Sequence, residues 1–441
     1  MASRTFRWMV AGSTVVLFGG GYFIYSLMAA QGQGTLAQAP LNIEVQTPPA
    51  FVMALDDSGS MVWETLNNTR DGVYHWIDGR GFYNGSTPYG YDQPKNATSL
   101  RYYYLTPPYG RGNSAIPPLD AFGFARSPDI NGAYFDPRDD YPAWKTGSSD
   151  PAKMDYMTID PTAAPVDPRP SGSSGTTSLV RNLTTTETRL QNDWKFSLRS
   201  GMVLPKGTVI QRYNFVCTTN PSIDDRNTTV DGSWRRLDRD FTVTRECDAS
   251  FQYFAPTFFL VDKRTLPAAY GYTADPVAVT DPVGGRPGTL YKYEIRPENF
   301  SGTNEYKAAI NNFARWFSFY RTRREALIGA ATNALQPATN LRVGWFRIND
   351  RTQAKMYDMS AESEKMSLLA DITLKMRASS STPNRRAVDF LGQQFQRTKS
   401  STDPSPPVLL SCQKNAGMLF TDGYINDDYT AKSMTALALS L

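Results

Sequence analysis

Three oxygen-bearing side chains, Asp56, Ser58 and Ser60, are the residues best suited to chemistry, and they directly follow an apolar run. The run, residues 50–55, has the length and composition of a buried strand, so its carboxyl end would present these side chains together. Gly59 allows a sharp turn between the two hydroxyls, and the three oxygens can then converge on one point. Such donors suit a hard divalent cation, Mg²⁺, Ca²⁺ or Mn²⁺.

Two distant segments carry side chains of the same kind. Thr382 lies in a serine-rich loop before a predicted helix, and Asp422 follows a second apolar run. Each segment alone is also ordinary local structure, since Asp-x-Ser-Gly forms Asx turns and Thr382 would cap the helix. In a doubly wound sheet, however, ligands bind beyond the carboxyl ends of the strands. The sequence therefore favours one shared site at that edge.

The elements that would position these segments have clear periods. Apolar residues recur at helical spacing over 304–335, which predicts one long helix or two, and they alternate over 341–345 as in a strand. Further helices are predicted over 362–377 and 384–396, with a buried strand at 416–420. Strands that alternate with helices indicate an α/β, doubly wound domain.

A long segment of different amino-acid composition interrupts this pattern. Tyr, Gly, Pro and Asn dominate it and no helical period persists, which predicts a loop-rich, mainly β insertion. Its aromatic residues either fill a core or form a carbohydrate- or protein-binding surface, and we favour the core. The predicted organisation is 1–39 leader, 40–61 first strand and metal loop, 62–299 insertion, 300–430 remainder of the α/β domain, and 431–441 tail.

Composition excludes several classes of function. Forty-two acidic residues nearly balance 46 basic ones, and the basic residues form no single stripe, so we expect no nucleic-acid partner. One histidine, His75, and three cysteines make a histidine-based triad or a tetrahedral zinc site improbable. His75 is interpreted as a packed or surface residue.

The N-terminus predicts export. Arg4 and Arg7 precede a long apolar stretch, Trp8 to Ala30, and a small-residue pattern follows, with cleavage expected near Ala37 or Ala39. The stretch is close to membrane-spanning length, so an uncleaved anchor is the alternative, and this segment is the only membrane contact expected.

The cysteines are interpreted in the light of this compartment. In an oxidising compartment, Cys217 and Cys247 are expected to pair. Cys412 is left as a free buried thiol or as the partner of a cysteine beyond this sequence.

Asp-x-Ser-Gly-Ser after a buried strand, Thr-Pro in a distant loop and Thr-Asp-Gly after a later strand resemble the metal-ion-dependent adhesion site of von Willebrand factor A domains. The resemblance implies that Asp56, Ser58, Ser60, Thr382 and Asp422 hold a divalent cation. We expect a helix after Ser60 to point its positive end at the site, so that the two carboxylates supply the neutralising charge. A partner's Asp or Glu would complete the coordination shell.

A narrower resemblance covers most of the chain from residue 40 to about 428 and links it to the N-terminal half of PilY-type tip adhesins of bacterial type IV pili. The segments that are similar are Pro40-Leu41-Asn42-Ile43, residues 50–61, Tyr134-Phe135-Asp136-Pro137 with Tyr141-Pro142-Ala143-Trp144, residues 312–323, and Cys412-Gln413-Lys414-Asn415 before Thr421-Asp422-Gly423-Tyr424. The resemblance implies export, a place at the pilus tip with minor pilins as partners, and roles in pilus biogenesis, surface attachment and twitching motility.

The sequence also departs from that family. Its members carry a large C-terminal β-propeller with its own calcium loop, which has no counterpart here. Residues 423–441 are fewer than the ~30 of a further βαβ unit. We therefore expect a truncated edge of the sheet, which as an open strand would be prone to aggregation.

Two function classes follow from the sequence, and a third class is less consistent with it. The first is an adhesin, not an enzyme, that binds a carboxylate-bearing host or surface ligand through the cation. The alternative is a secreted hydrolase in the insertion that uses paired carboxylates, Asp224 with Asp225 or Asp238 with Asp240. An intracellular A-domain partner of a chelatase-type ATPase conflicts with the leader.

Overall fold

The computed structural model describes a large part of the chain at residue level. The described residues are 47–91, 100–106, 114–145, 158–169, 179–186, 196–211, 228–231, 234–263, 266–280 and 285–423. The predicted leader and tail, with Asp224, Asp225 and Cys217, lie outside these ranges. Among the described residues, no helix combines the length and the apolarity needed to cross a bilayer.

Within the described ranges, strands and helices follow one another in an uneven order, with short strands in the middle and the longer helices near the end. The strands are β1 (Ala50–Leu55), β2 (Tyr74–Trp76), β3 (Tyr83–Asn84), β4 (Thr87–Pro88), β5 (Leu100–Tyr102), β6 (Ala164–Pro165), β7 (Val180–Arg181), β8 (Phe196–Leu198), β9 (Val203–Leu204), β10 (Val209–Gln211), β11 (Thr228–Asp231), β12 (Trp234–Arg236), β13 (Phe241–Thr242), β14 (Cys247–Ala249), β15 (Thr257–Leu260), β16 (Val277–Thr280), β17 (Thr289–Glu294), β18 (Arg342–Arg347), β19 (Met356–Asp358) and β20 (Asn415–Phe420). The α-helices are α1 (Thr303–Phe319), α2 (Arg323–Leu335), α3 (Glu362–Lys375) and α4 (Asn384–Phe395).

A four-stranded sheet in the order β19-β18-β1-β20 forms the framework. Strand β1 runs parallel to both neighbours, with Val52 opposite Gly344 on one side and Gly417 on the other. Strand β19 is antiparallel to β18, an edge that the sequence pattern did not predict. Because β1, β18 and β20 are parallel, their carboxyl ends lie at the same edge, where the candidate residues begin.

Helices cover both faces of this sheet, which explains why β1 is apolar at every position. Phe51, Met53 and Leu55 pack in one cluster with residues of α2 and α3, whereas Val52 and Ala54 pack in a second cluster with residues of α4. All six residues of β1 are buried. The architecture is mixed α/β, and its order of elements follows the predicted pattern, with two helices over the segment 304–335.

The insertion is built from small antiparallel pairs and triplets of strands around an aromatic core. Its largest fully buried side chains include Tyr74, Tyr102, Phe124 and Phe258, so the interpretation that the aromatic residues fill a core is confirmed. Helix α1 contributes Ile310, Phe313 and Phe317 to this same core, and its last residue, Phe319, packs in the cluster on the sheet. The aromatic core and the sheet domain are therefore joined through α1.

The cysteines differ in state. Cys247 is disulfide-bonded, whereas Cys412 is free and exposed, so the expectation of a buried Cys412 is wrong. Residues 408–414 form a surface segment before β20, which accounts for the exposure.

The disulfide gives a first prediction. Cys247→Ser is expected to lower the free energy of unfolding by about 3–4 kcal/mol, the chain-entropy value for the loop of about 30 residues that the expected bridge to Cys217 would close. Cys412→Ser is the matched control and should change it by less than about 0.5 kcal/mol, since an exposed thiol makes few contacts. Urea denaturation of both variants under non-reducing conditions measures the difference. Equal stabilities would contradict a structural role for the bridge.

Candidate cation site

The carboxylate of Asp56 lies at the end of β1, fully buried, and organises the first half of the site. Its Oδ1 accepts a hydrogen bond from the Ser58 amide at 2.8 Å, which forms the Asx turn of the loop. Its Oδ2 accepts one from the Thr421 hydroxyl at 2.6 Å and a longer one from the Asp422 amide at 3.4 Å. Hydrogen bonds therefore join the end of β1 to the residues that follow β20.

The hydroxyls and the second carboxylate continue the network. Ser58 Oγ lies 3.0 Å from Ser60 Oγ, and Ser60 Oγ donates to Asp422 Oδ1 at 3.0 Å. Residues from positions 56 to 60 and from position 422 therefore meet in one continuous set of oxygen atoms. Asp56, Ser58, Ser60 and Asp422 therefore lie together at this edge, and their role as cation ligands stays a prediction.

The loop that carries Thr382 lies at the same edge. Gly59 N donates to Ser380 O at 3.0 Å, and Ser379 N donates to the carbonyl of Asp57 at 2.8 Å, so the loop lies against the Asp-Ser-Ser turn. Thr382 itself is buried. Ser380 has φ 82°, an unusual conformation for a residue other than glycine, and such strain is often found at functional sites.

Two local expectations are wrong. The residue at the N-cap of α4 is Pro383 and no side chain caps the helix, so Thr382 is not an N-cap. No α-helix starts after Ser60 either, because residues 59–62 form one short 3-10 turn and the chain then leaves into the insertion. A turn of that length has little dipole, so it adds little positive charge beside the site.

The neighbouring carboxylate, Asp57, supports the site without facing it. Its Oδ1 accepts hydrogen bonds from the backbone amide and the side-chain Nδ2 of Asn349, both at 3.0 Å. Asn349 Nδ2 also donates to Ser381 O at 2.7 Å, which fixes the loop that carries Thr382. Burial raises the pKa of Asp57, while the bonds from Asn349 and the charge of Arg347 oppose that rise.

Burial is also the largest influence on Asp56. It raises the pKa of this carboxyl above its usual value, against hydrogen bonds from Ser58 and Thr421 that lower it, and the charge of Asp422 raises it further. Two carboxylates this close repel each other when both are ionised. A bound cation would relieve that repulsion.

Arg323, which the sequence analysis missed, is the nearest positive charge that we identify. Its Nη1 donates to Asp422 Oδ2 at 2.6 Å, on the opposite side of the carboxylate from Ser60. The side chain is buried and also donates to the carbonyls of Thr65 and Asp71 at 2.6 and 3.0 Å. Arg323 begins α2, and no local motif links it to Asp422 almost a hundred residues later.

Asn384 was missed as well. Its Nδ2 donates to Thr421 Oγ1 at 3.2 Å and to Gly423 O at 3.1 Å, while its Oδ1 is buried with no hydrogen-bond partner among the described residues. A buried amide oxygen without a donor is costly and calls for an unseen water or ion. Its position, directly after Thr382 and Pro383, was the only sequence signal.

These donors fit a hard divalent cation. The set consists of carboxylate and hydroxyl oxygens. The Asn384 side-chain carbonyl oxygen, which accepts no hydrogen bond from the described residues, could serve as a further ligand. Within the described ranges, no group of three or more His, Cys, Asp or Glu side chains is arranged to hold a metal. A cation here would therefore depend on serine and threonine hydroxyls, with Asp56 and Asp422 as the two charged ligands.

Of the carboxylates considered for the alternative hydrolase, Asp238 and Asp240 lie within the described residues. Asp238 and Asp240 are exposed in the turn that follows β12, and Asp240 accepts a hydrogen bond from the Lys206 amide at 2.8 Å. His75 lies in β2 opposite Arg101, and burial lowers its pKa.

Comparison with known proteins gives one partial likeness. The chain is 31% identical over 138 residues to a protein described as type IV pilus biogenesis factor PilY1, from Pseudomonas aeruginosa. The match covers 26% of this chain and only 12% of the length of that relative. No family model matches, and no solved structure matches. The likeness supports a distant PilY-like relationship, and the A-domain assignment stays a prediction.

Proposed function

We propose that this chain is an exported, type IV pilus-associated adhesin and biogenesis factor that binds its partners through a divalent cation. The observation that carries the proposal is the meeting of Asp56, Ser58, Ser60 and Asp422 in one hydrogen-bonded set at the carboxyl edge of the sheet. The partial likeness to a pilus biogenesis factor supplies the biological setting.

Each residue has a distinct part in this function. Asp56 and Asp422 supply negative charge, while Ser58, Ser60 and Thr382 supply neutral oxygen ligands. Asn349 and Asp57 hold the loops at the correct separation through the bond from Asn349 to Ser381. When bound, Mg²⁺, Ca²⁺ or Mn²⁺ would offer a coordination position to a carboxylate of the partner.

The partners and the location follow from the same proposal. Minor pilins at the tip and a host or surface ligand with an exposed Asp or Glu are the expected partners. The location would be the cell surface and pilus tip, with the periplasm in transit. Surface attachment and twitching motility would then depend on the site.

The test is a set of thermal and urea denaturation experiments in EDTA and in each of the three cations. At a cation concentration 100 times Kd, wild type should gain about 2.7 kcal/mol, whereas Asp56→Ala should gain nothing because its principal anionic ligand is gone. Asp403→Ala is the matched control, since Asp403 pairs with Arg397 at 2.8 Å away from the site. It should keep the full gain. A wild type that does not respond to any cation would refute the proposed function.

A further inference from the structure

The carboxylate of Asp422 is shared between the candidate site and a fixed positive charge. One oxygen accepts from Ser60 at 3.0 Å, and the other is paired with Arg323 at 2.6 Å. Both partners of the ion pair are largely shielded from solvent, with side-chain exposures of 5% for Arg323 and 8% for Asp422. Any ion held by Asp422 would therefore lie close to the guanidinium.

Arg323 has little freedom to move away. Its Nε and Nη2 both donate to Thr65 O, at 3.0 and 2.6 Å, and Nη2 donates to Asp71 O. The guanidinium carbon also lies 5.1 Å from the centre of the Trp63 ring, within the range of a cation–π interaction. The Arg323 guanidinium could move away from Asp422 only by breaking or lengthening these contacts.

The ion pair between Arg323 and Asp422 changes the net charge of the site. Asp56 and Asp422 carry two negative charges, Arg323 carries one positive charge, and the charge of Asp57 is opposed by Arg347. A divalent cation would then leave a net positive site, whereas without Arg323 it would leave a neutral one. A positive site binds a cation weakly alone and binds it better when an anionic ligand arrives with it.

We infer that Arg323 makes the binding of the cation and of an acidic ligand interdependent, so that each binds more tightly when the other is present. The inference rests on the proposed function and specifies its regulation. The guanidinium acts through Asp422 as a positioning and charge-setting group. Because Arg323 also holds the carbonyls of Thr65 and Asp71, occupancy is coupled to the first loop of the insertion.

The experiment is calorimetric titration of the exported protein with Mn²⁺, in chloride and in saturating acetate as the carboxylate probe. For Arg323→Gln in chloride, the affinity for Mn²⁺ should rise at least about tenfold, the effect expected for a single and a double charge ~6 Å apart even at the dielectric of water. Arg323→Lys keeps the charge and should stay within about threefold of wild type. Equal affinities in both variants would overturn the inference.

Wild type supplies a measurement that does not depend on either variant folding. Acetate should tighten the binding of Mn²⁺ at least about fivefold, the lower end of ordinary coupling between sites, and Mn²⁺ should tighten that of acetate equally. Mn²⁺ binding that acetate leaves unchanged would overturn the inference while the proposed function survives. A wild type that binds no Mn²⁺ in either buffer would overturn both.

Discussion

Replacing Glu64 with alanine is expected to lower the free energy of unfolding by about 3–5 kcal/mol, because the change leaves a buried guanidinium without its carboxylate. Glu64 Oε1 accepts from Arg321 Nε at 2.7 Å, and both side chains are about 95% buried. Its Oε2 accepts from the amides of Leu105 and Thr106, both at 2.6 Å. Alanine would leave these two amides and Arg321 Nε without their acceptors and the guanidinium without a countercharge from Glu64.

The position of this ion pair makes the result informative about architecture. Glu64 lies where the chain enters the insertion, whereas Arg321 lies between α1 and α2 and also donates to Val166 O at 2.8 Å. The pair therefore ties the insertion to the sheet domain near the metal loop. Urea denaturation measures the loss. Asp140→Ala, which removes an exposed pair with Arg315, should cost at most about 1 kcal/mol. If the two variants lose the same stability, the pair does not join the two parts.

Much of the framework could be predicted because its signals are local. The apolar run 50–55 is buried on both faces, as a central parallel strand requires, and the helical periods near the end of the chain correspond to α1–α4. The bounds of α3 and α4 differ from the predicted ones by a residue or two. Strand β19 was missed, since three residues carry too little pattern to reveal an antiparallel edge.

The candidate site was predictable only where it follows strand ends. Asp56 and Asp422 had to meet once β1 and β20 were neighbours, because a parallel register fixes which residues lie side by side. Arg323 and Asn384 were not predictable in this way, since their contacts depend on where helices α2 and α4 begin in three dimensions. The helix expected after Ser60 failed for a related reason, as the insertion starts there and replaces it.

Asp167→Asn is expected to have the second large effect, about 3–5 kcal/mol at neutral pH. The carboxylate accepts from Arg169 Nη2 at 2.7 Å and from Arg324 Nη2 at 3.0 Å, and all three side chains are buried. Arg169 Nη1 also donates to Met376 O at 2.6 Å, so the cluster joins the insertion to the end of α3. The amide would leave two buried guanidinium groups facing a neutral side chain.

This loss should depend on pH in a defined direction. Burial alone would raise the pKa of Asp167, but hydrogen bonds and charge from Arg169 and Arg324 outweigh it and hold the pKa below 3.8. A carboxyl with a lowered pKa stabilises the folded state fully above its unfolded value and loses that contribution as the pH falls through the folded value. The difference between wild type and Asp167→Asn should therefore be constant near neutrality and shrink below about pH 4.

Glu325, which shares this cluster through Arg324 at 3.4 Å, makes the comparison with the variant essential. Burial raises the pKa of Glu325, so acidification toward its folded value favours the folded state, opposite in sign to Asp167. The stability of wild type alone would mix the two contributions, whereas the difference between wild type and Asp167→Asn removes most of that of Glu325. Glu362→Gln, at an exposed carboxylate that pairs with Lys365 at 3.7 Å, should give a small difference across the same range. A difference for Asp167→Asn that stays constant down to pH 2 would show that the carboxylate does not carry the charge on which the cluster depends.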